Sequence, residues 1–142
     1  MNNFRLAVPA PRRILVADDN ETILHLVARV AEKEGYEVVK AANGREAYKI
    51  LQADSNFSVA IFDINMPHLQ GTELVSHMQT EKRLMRIPVM MMTAQSNLLT
   101  LSKSMAERAV VFLPKPFTAH QLRILLLMVD KNNSAPLGRA VA

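Results

Sequence analysis

Five residues spread over about 100 positions carry side chains that could do chemistry together: Asp18, Asp19, Asp63, Thr93 and Lys115. All lie at or just beyond the ends of short apolar runs, "RILVA" (13–17), "VAIF" (59–62), "PVMMM" (88–92) and "VVFL" (110–113). Two adjacent aspartates at the end of a segment suited to burial need compensation. Like charges repel, and unpaired burial drives a carboxyl to take up a proton. A cation shared with Asp63 meets that need, and Lys115 adds a fixed positive charge. With no cysteine in the chain and only carboxylates on offer, the ion should be hard and oxygen-seeking, Mg²⁺ or Mn²⁺. Such an ion and a lysine beside a carboxylate make a site for a phosphoryl group. Asp63, ionised at neutral pH, can act as the nucleophile without a general base and would form an acyl phosphate. The ion and Lys115 would neutralise charge on the phosphoryl oxygens in the transition state. The Thr93 hydroxyl could hydrogen-bond one product oxygen, with the small Ala94 beside it leaving room.

The elements that must position these groups follow from the periodicity. A further apolar run, "YEVVKA" (36–41), delivers nothing reactive at its end, which suits an edge strand. Between the five runs lie segments with helical spacing. Ile23, Leu26, Val27, Val30 and Ala31 form a stripe closed by Gly35, and Ala47, Ile50 and Leu51 share a face after "NG". Leu74, Val75 and Met78 follow Gly71, and Leu98, Leu101 and Met105 mark a fourth helix over about 95–106. The last helix opens on "TAHQ", where Thr118 and Gln121 can form a capping box, and carries Leu122, Leu125, Leu126 and Val129. Fivefold strand–helix alternation with solidly apolar strands predicts a (βα)5 doubly wound parallel sheet covered on both faces. In such a sheet functional groups collect at the carboxyl ends of the strands, near the reversal of strand order.

Length and composition bound the rest. A chain of 142 residues with 49% apolar residues is long enough for one domain with a sizeable core. The expected division is a flexible N-terminal extension over 1–11, a folded domain over 12–130 and a flexible tail or truncated linker over 131–142. The net charge of +4 belongs to the ends: residues 14–130 hold 12 of the 17 Lys and Arg residues and all 13 acids, a net of −1. No basic stripe interleaved with aromatics appears, so nucleic acid is not an expected partner. The longest late apolar run, "LRILLLMV", is eight residues long and carries Arg123, and "MNNFRLAVPAPRR" lacks an apolar signal core. No membrane association is expected, and a cytoplasmic location fits best.

The ordered fragments "ILVADDNE", "VAIFDINMP", "GTEL", "VMMMTA" and "FLPKPF" together resemble the receiver domain of two-component response regulators over about residues 12–130. The resemblance implies a five-stranded parallel sheet of flavodoxin-like order 2-1-3-4-5. It implies Mg²⁺ binding at Asp18, Asp19 and Asp63, with the backbone carbonyl of Asn65 as a further ligand. Asp63 would be the phosphoacceptor, Lys115 the phosphate contact, and Thr93 with Phe112 the switch pair. The Lys115–Pro116 bond is often cis in this family. The implied partners are a sensor histidine kinase or a histidine phosphotransfer protein. Downstream, a protein target would bind the face formed by the fourth helix, the fifth strand and the last helix. The chain departs from the family in the step "ERAVV" before the fifth strand, where a small, glycine-containing step is frequent; this bears on partner choice.

Blander roles stand beside these. Asp18 and Asp19 could be helix N-caps, Thr93 a strand end, and Phe112 plain core. His25, His68, His77 and His120 share no ligand spacing and suit surface or structural roles. The methionines at 90–92 suit a buried strand. "LRILLLMV" suits the buried face of the last helix, with part of a homodimer face as an alternative. Two rival functions remain: an unphosphorylated receiver-like scaffold, and a haloacid-dehalogenase-like phosphatase. In the latter the nucleophile normally precedes the other acids in a "DxD"-type motif, an order reversed here.

Overall fold

The structure is a computed structural model that describes residues 11–94 and 110–130. Its elements are β1 (Arg13–Ala17), α1 (Glu21–Lys33), β2 (Glu37–Ala41), α2 (Gly44–Ala53), β3 (Val59–Asp63), α3 (Gly71–Met78), α4 (Lys82–Met85), β4 (Val89–Ala94), β5 (Val110–Lys115) and α5 (Ala119–Val129). The five strands are parallel in the order β2-β1-β3-β4-β5, the order expected, with the reactive-poor β2 at an edge. The fourth helix expected over 95–106, the "ERA" of the departing step and both chain ends lie outside the described residues.

Strand alternation divides the core in two. Leu15, Ala60, Phe62, Val89 and Met91 face α2, α3 and α4, whose Ala47, Leu51, Leu74, Met78 and Leu84 complete that cluster. Ile14, Val16, Ile61, Met90 and Met92 face the other way, onto Leu24, Val27 and Ala31 of α1 and Leu122 and Leu126 of α5. The methionine run is therefore strand core on both sides of the sheet, as its composition suggests, and forms no surface. Burial of side chains on both faces holds β1, β3 and β4 in a single register, because a one-residue slip would exchange the two clusters.

Helix ends follow the chemistry of their flanking residues. Asn20 and Asn43 accept the N3 amides of α1 and α2, from Ile23 and Glu46. The Thr118–Gln121 capping box is present, with reciprocal bonds of 3.1 and 2.9 Å. Gly35, at φ 93°, ends α1 in a Schellman motif, its N–H on Glu32 and that of Tyr36 on Ala31. One expectation needs correction. Leu26 leaves the α1 stripe and is 37% exposed, while Leu24 and Ala28 take its place, because the buried face is centred on Val27 and Ala31. The one-turn helix α4 has too few residues to show a period, yet Leu84 buries fully beneath it.

The amino end of the sheet is tied by charge. Asp130, the C-cap of α5, is fully buried and accepts hydrogen bonds from Tyr36 Oη and from Arg12 Nη1, the latter at 3.1 Å. The Arg12 guanidinium stacks 4.6 Å over the Tyr36 ring and donates to the Glu34 carbonyl. Burial pushes the Tyr36 hydroxyl well above its ordinary titration range, and Asp130 adds to the effect. These contacts join the start of β1, the exit of α1 and the end of α5. Removing the buried acceptor should cost roughly 3 kcal/mol. Asp130→Ala should therefore unfold at markedly lower urea than Arg13→Ala, whose ion pairs with Asp54 and Glu37 are partly solvated.

Candidate functional site

The chain doubles back in strand order between β1 and β3, and register aligns their ends, Ala17 with Phe62. The residue that follows β1, Asp18, and the last on β3, Asp63, therefore flank the crevice where parallel sheets hold ligands. Asp18 is buried, Asp63 nearly so, and Asp19 exposed. Each offers a carboxylate oxygen within 4.8 Å of the others, the one such cluster of potential metal-ligating acids and histidines among the described residues.

Lys115 reaches this cluster from the end of β5. Its Nζ stands 3.1 Å from Asp63 Oδ1 and 3.7 Å from Asp18 Oδ2. The Lys115–Pro116 peptide bond is cis. Asp18 Oδ1 accepts the Asn20 amide at 2.8 Å, but Oδ2 is buried without a hydrogen-bond donor. Burial raises the Asp18 pKa, and the neighbouring Asp63 and Asp19 raise it further, against the Asn20 amide and Lys115. Three carboxylates and one ammonium leave an excess of negative charge around a starved oxygen. A hard dication fits this donor set, and would be held by Asp18, Asp19 and Asp63.

Thr93 is buried on β4, one step beyond Met92, which pairs with Asp63 in the register. Its hydroxyl donates to the Ala94 carbonyl at 3.1 Å and so faces its own chain. Phe112, opposite Met91 on β5, is half-buried and packs against the cluster on the α2–α3 side. Asn65 is exposed in the loop that follows β3.

That loop is clamped by two glycines whose steric part sequence reasoning missed. A Cβ at Gly71 would stand 2.5 Å from the Asp63 carbonyl oxygen, and one at Gly44 1.7 Å from that of Leu69. "GTEL" and "NG" mark the positions, but only the three-dimensional approach of the backbones explains them. His68 lies in the same loop at φ 72°, a left-handed conformation uncommon for a side chain of its size. The histidines take no part in the acidic cluster: His77 pairs with Glu81 and Gln52, and His120 meets Arg123.

Comparison with known proteins agrees with this fold. The family model for the response regulator receiver domain matches residues 14–127. Chemotaxis protein CheY1 of Helicobacter pylori is 30% identical over 122 residues, 85% of this chain and 98% of that protein. The structure of chemotaxis response regulator CheY4 of Vibrio cholerae superposes with a TM-score of 0.77 at 32% identity, covering 84% of this chain and 99% of that one. Response regulator protein TrrA of Thermotoga maritima, solved in complex with Mg²⁺-BeF, gives 0.71 at 28% identity, covering 83% and 98%. The match spans every strand that brings a reactive side chain to the rim, and the chain belongs to the response regulator receiver family.

Proposed function

We propose that this chain is a phosphorylation-dependent switch that takes a phosphoryl group onto Asp63 from a phosphohistidine of a sensor histidine kinase or histidine phosphotransfer protein. The observation that carries the reading is the placement of Lys115 Nζ against both Asp63 and Asp18, around a buried carboxylate oxygen that lacks a donor. In the transfer an Asp63 oxygen forms a bond to phosphorus as the P–N bond to the donor imidazole breaks, its electron pair returning to the ring. Lys115 holds the acceptor carboxylate and then a phosphoryl oxygen. Asp18, Asp19, Asp63 and the Asn65 carbonyl would hold Mg²⁺, which supplies positive charge against the phosphoryl oxygens. The Mg²⁺-BeF complex of TrrA supports that ligand chemistry. Family membership supports a switch that undergoes modification itself, in place of an enzyme turning over a separate substrate.

Signal output would come from Thr93 and Phe112. For Thr93 to reach a phosphoryl oxygen, its hydroxyl must leave the Ala94 carbonyl, and that exchange biases a two-state equilibrium. A hydrogen bond to a charged group contributes roughly 1.5–3 kcal/mol, enough to shift populations about tenfold to a hundredfold. Half-buried Phe112 would turn inward as β4 moves, altering the surface of β5 and α5 that meets a downstream protein. Ile124 and Met128, exposed on α5, suit that contact or a homodimer.

Four outcomes test this reading. At neutral pH the metal-free Asp18→Asn protein should melt above the wild type, because a buried, raised-pKa carboxylate has been removed. Excess Mg²⁺ should raise the melting temperature of the wild type and leave the variant unmoved. Acetyl phosphate with Mg²⁺ should add one phosphoryl group by intact mass, with none on Asp63→Asn; an adduct on that variant at wild-type yield would place the acceptor elsewhere. Thr93→Ala should still be phosphorylated, yet lose most of the beryllofluoride-induced NMR shifts in β5 and α5; full wild-type shifts would return Phe112 to the core.

A further inference from the structure

We propose that Gly44, at the start of α2, is a positioning residue for the cation site: it fixes the distance between the two halves of the acidic rim, from a helix that supplies no carboxylate to it. That role rests on the reading of the rim as a Mg²⁺ site. One half is Asp18 and Asp19, which follow β1; the other is Asp63 at the end of β3, with the Asn65 carbonyl beyond it. The connection from β2 to α2 joins the two. At its near end the Ala41 carbonyl accepts the Asp18 N–H at 3.2 Å. At its far end Gly44 lies against the Leu69 carbonyl, in the loop that follows β3, where a Cβ would come within 1.7 Å of the oxygen. Because β1 stands between β2 and β3 in the sheet, these two contacts brace the rim across the end of β1.

The loop has little freedom of its own. Ile64 donates to the Met92 carbonyl at 3.1 Å, and Gly71 closes the loop on the Ile64 carbonyl at 3.0 Å. Met66 is buried. Leu69 donates to the Pro67 carbonyl at 2.8 Å around His68 at φ 72°, a γ-turn of the strained hand. Such a turn persists only where its surroundings over-determine it. Gly44 is one of those surroundings, packed on the residue next to His68. Nor can α2 retreat, because Ala47 and Leu51 are fully buried and the Asn43 side chain holds the Glu46 amide at 2.9 Å.

Any side chain at position 44 must therefore push Leu69 outward until its oxygen stands at least about 3 Å from the new Cβ. With Asp63 and Gly71 held in their strand and helix, the movement falls on residues 65–70, which include the Asn65 carbonyl. Mg²⁺ demands near-ideal octahedral spacing of its oxygen ligands, so a displacement of this size is felt at the ion. Loss of a contact that orients a metal ligand typically costs roughly tenfold to a hundredfold in metal affinity. The substitution changes no charge, so its effect on Mg²⁺ acts through position alone.

The test is a Mg²⁺ titration of the ¹⁵N-labelled full chain, followed by amide shifts, for the wild type, Gly44→Ala and Ala47→Gly. The last weakens α2 through its helix propensity without adding an atom at the loop. Gly44→Ala should bind Mg²⁺ at least about tenfold more weakly than the wild type, and Ala47→Gly within about twofold of it. The metal-free spectrum of Gly44→Ala should differ from the wild type chiefly over residues 64–70. Unaltered Mg²⁺ affinity in Gly44→Ala, or an equal loss in Ala47→Gly, would overturn the proposal. If Gly44→Ala does not fold, amide exchange in the wild type decides. Mg²⁺ should slow exchange at Glu46 and Ala47, both bonded to Asn43, more than at Leu122, which is bonded to the Thr118 carbonyl at the start of α5. Equal slowing at the two helix starts, or none, would overturn it. A wild type that binds no Mg²⁺ would overturn the reading of the rim itself, whereas failure of the positioning role alone leaves wild-type binding intact.

Discussion

Asp18 carries a buried carboxylate with one oxygen facing no hydrogen-bond donor, 3.7 Å from the ammonium of Lys115. An isolated ionised carboxylate in such a place is unstable by many kcal/mol, so its neighbours must answer for it. The Asn20 amide answers one oxygen, and Lys115 answers the other only in part. The remaining deficit favours a dication beside these carboxylates. Asp63 shares the deficit because register places its strand end beside Asp18. A site that was fully compensated in the absence of ligand would have nothing to gain from binding one.

The fold makes that arrangement durable by separating stability from chemistry. The two apolar clusters on either side of the sheet, with the Arg12–Tyr36–Asp130 tie at its amino end, hold the strands in register. The carboxyl end, relieved of that duty, can keep crowded acids. Gly44 and Gly71 let the loop after β3 press against α2 and against the Asp63 carbonyl, so the rim is shaped by backbone contact as well as by charge.

Much of this was legible in the residues. Solid apolar runs ending in Asp18, Asp63 and Thr93 gave away parallel strands, because a sheet covered on both faces leaves polar groups only at its ends. The edge position of β2 and the capping box at Thr118 followed from equally local chemistry. What escaped notice depends on approach in space. The closeness of Gly44 to Leu69 joins residues 25 positions apart, and the tie at Asp130 joins residues 118 apart. Asp130 follows an apolar helix and carries no local sign of burial, since its partners, Arg12 and Tyr36, lie 118 and 94 positions away in the chain. The rotation of α1 that turns Leu26 outward was hidden for another reason: a stripe drawn through Leu26 matches the helical period about as well as one drawn through Leu24.

The tie between Arg12 and Asp130 also has a bearing on modularity. It brings the first and last described turns of the chain together at the amino end of the sheet, on the side opposite the acidic rim. A domain whose entry and exit are neighbours can be spliced into a loop of another protein, or rejoined end to end and opened elsewhere, without stretching its own backbone. Whatever is grafted at those points would stand clear of the crevice between β1 and β3. The same carboxylate that locks the bottom of the sheet thus makes this fold a portable cassette.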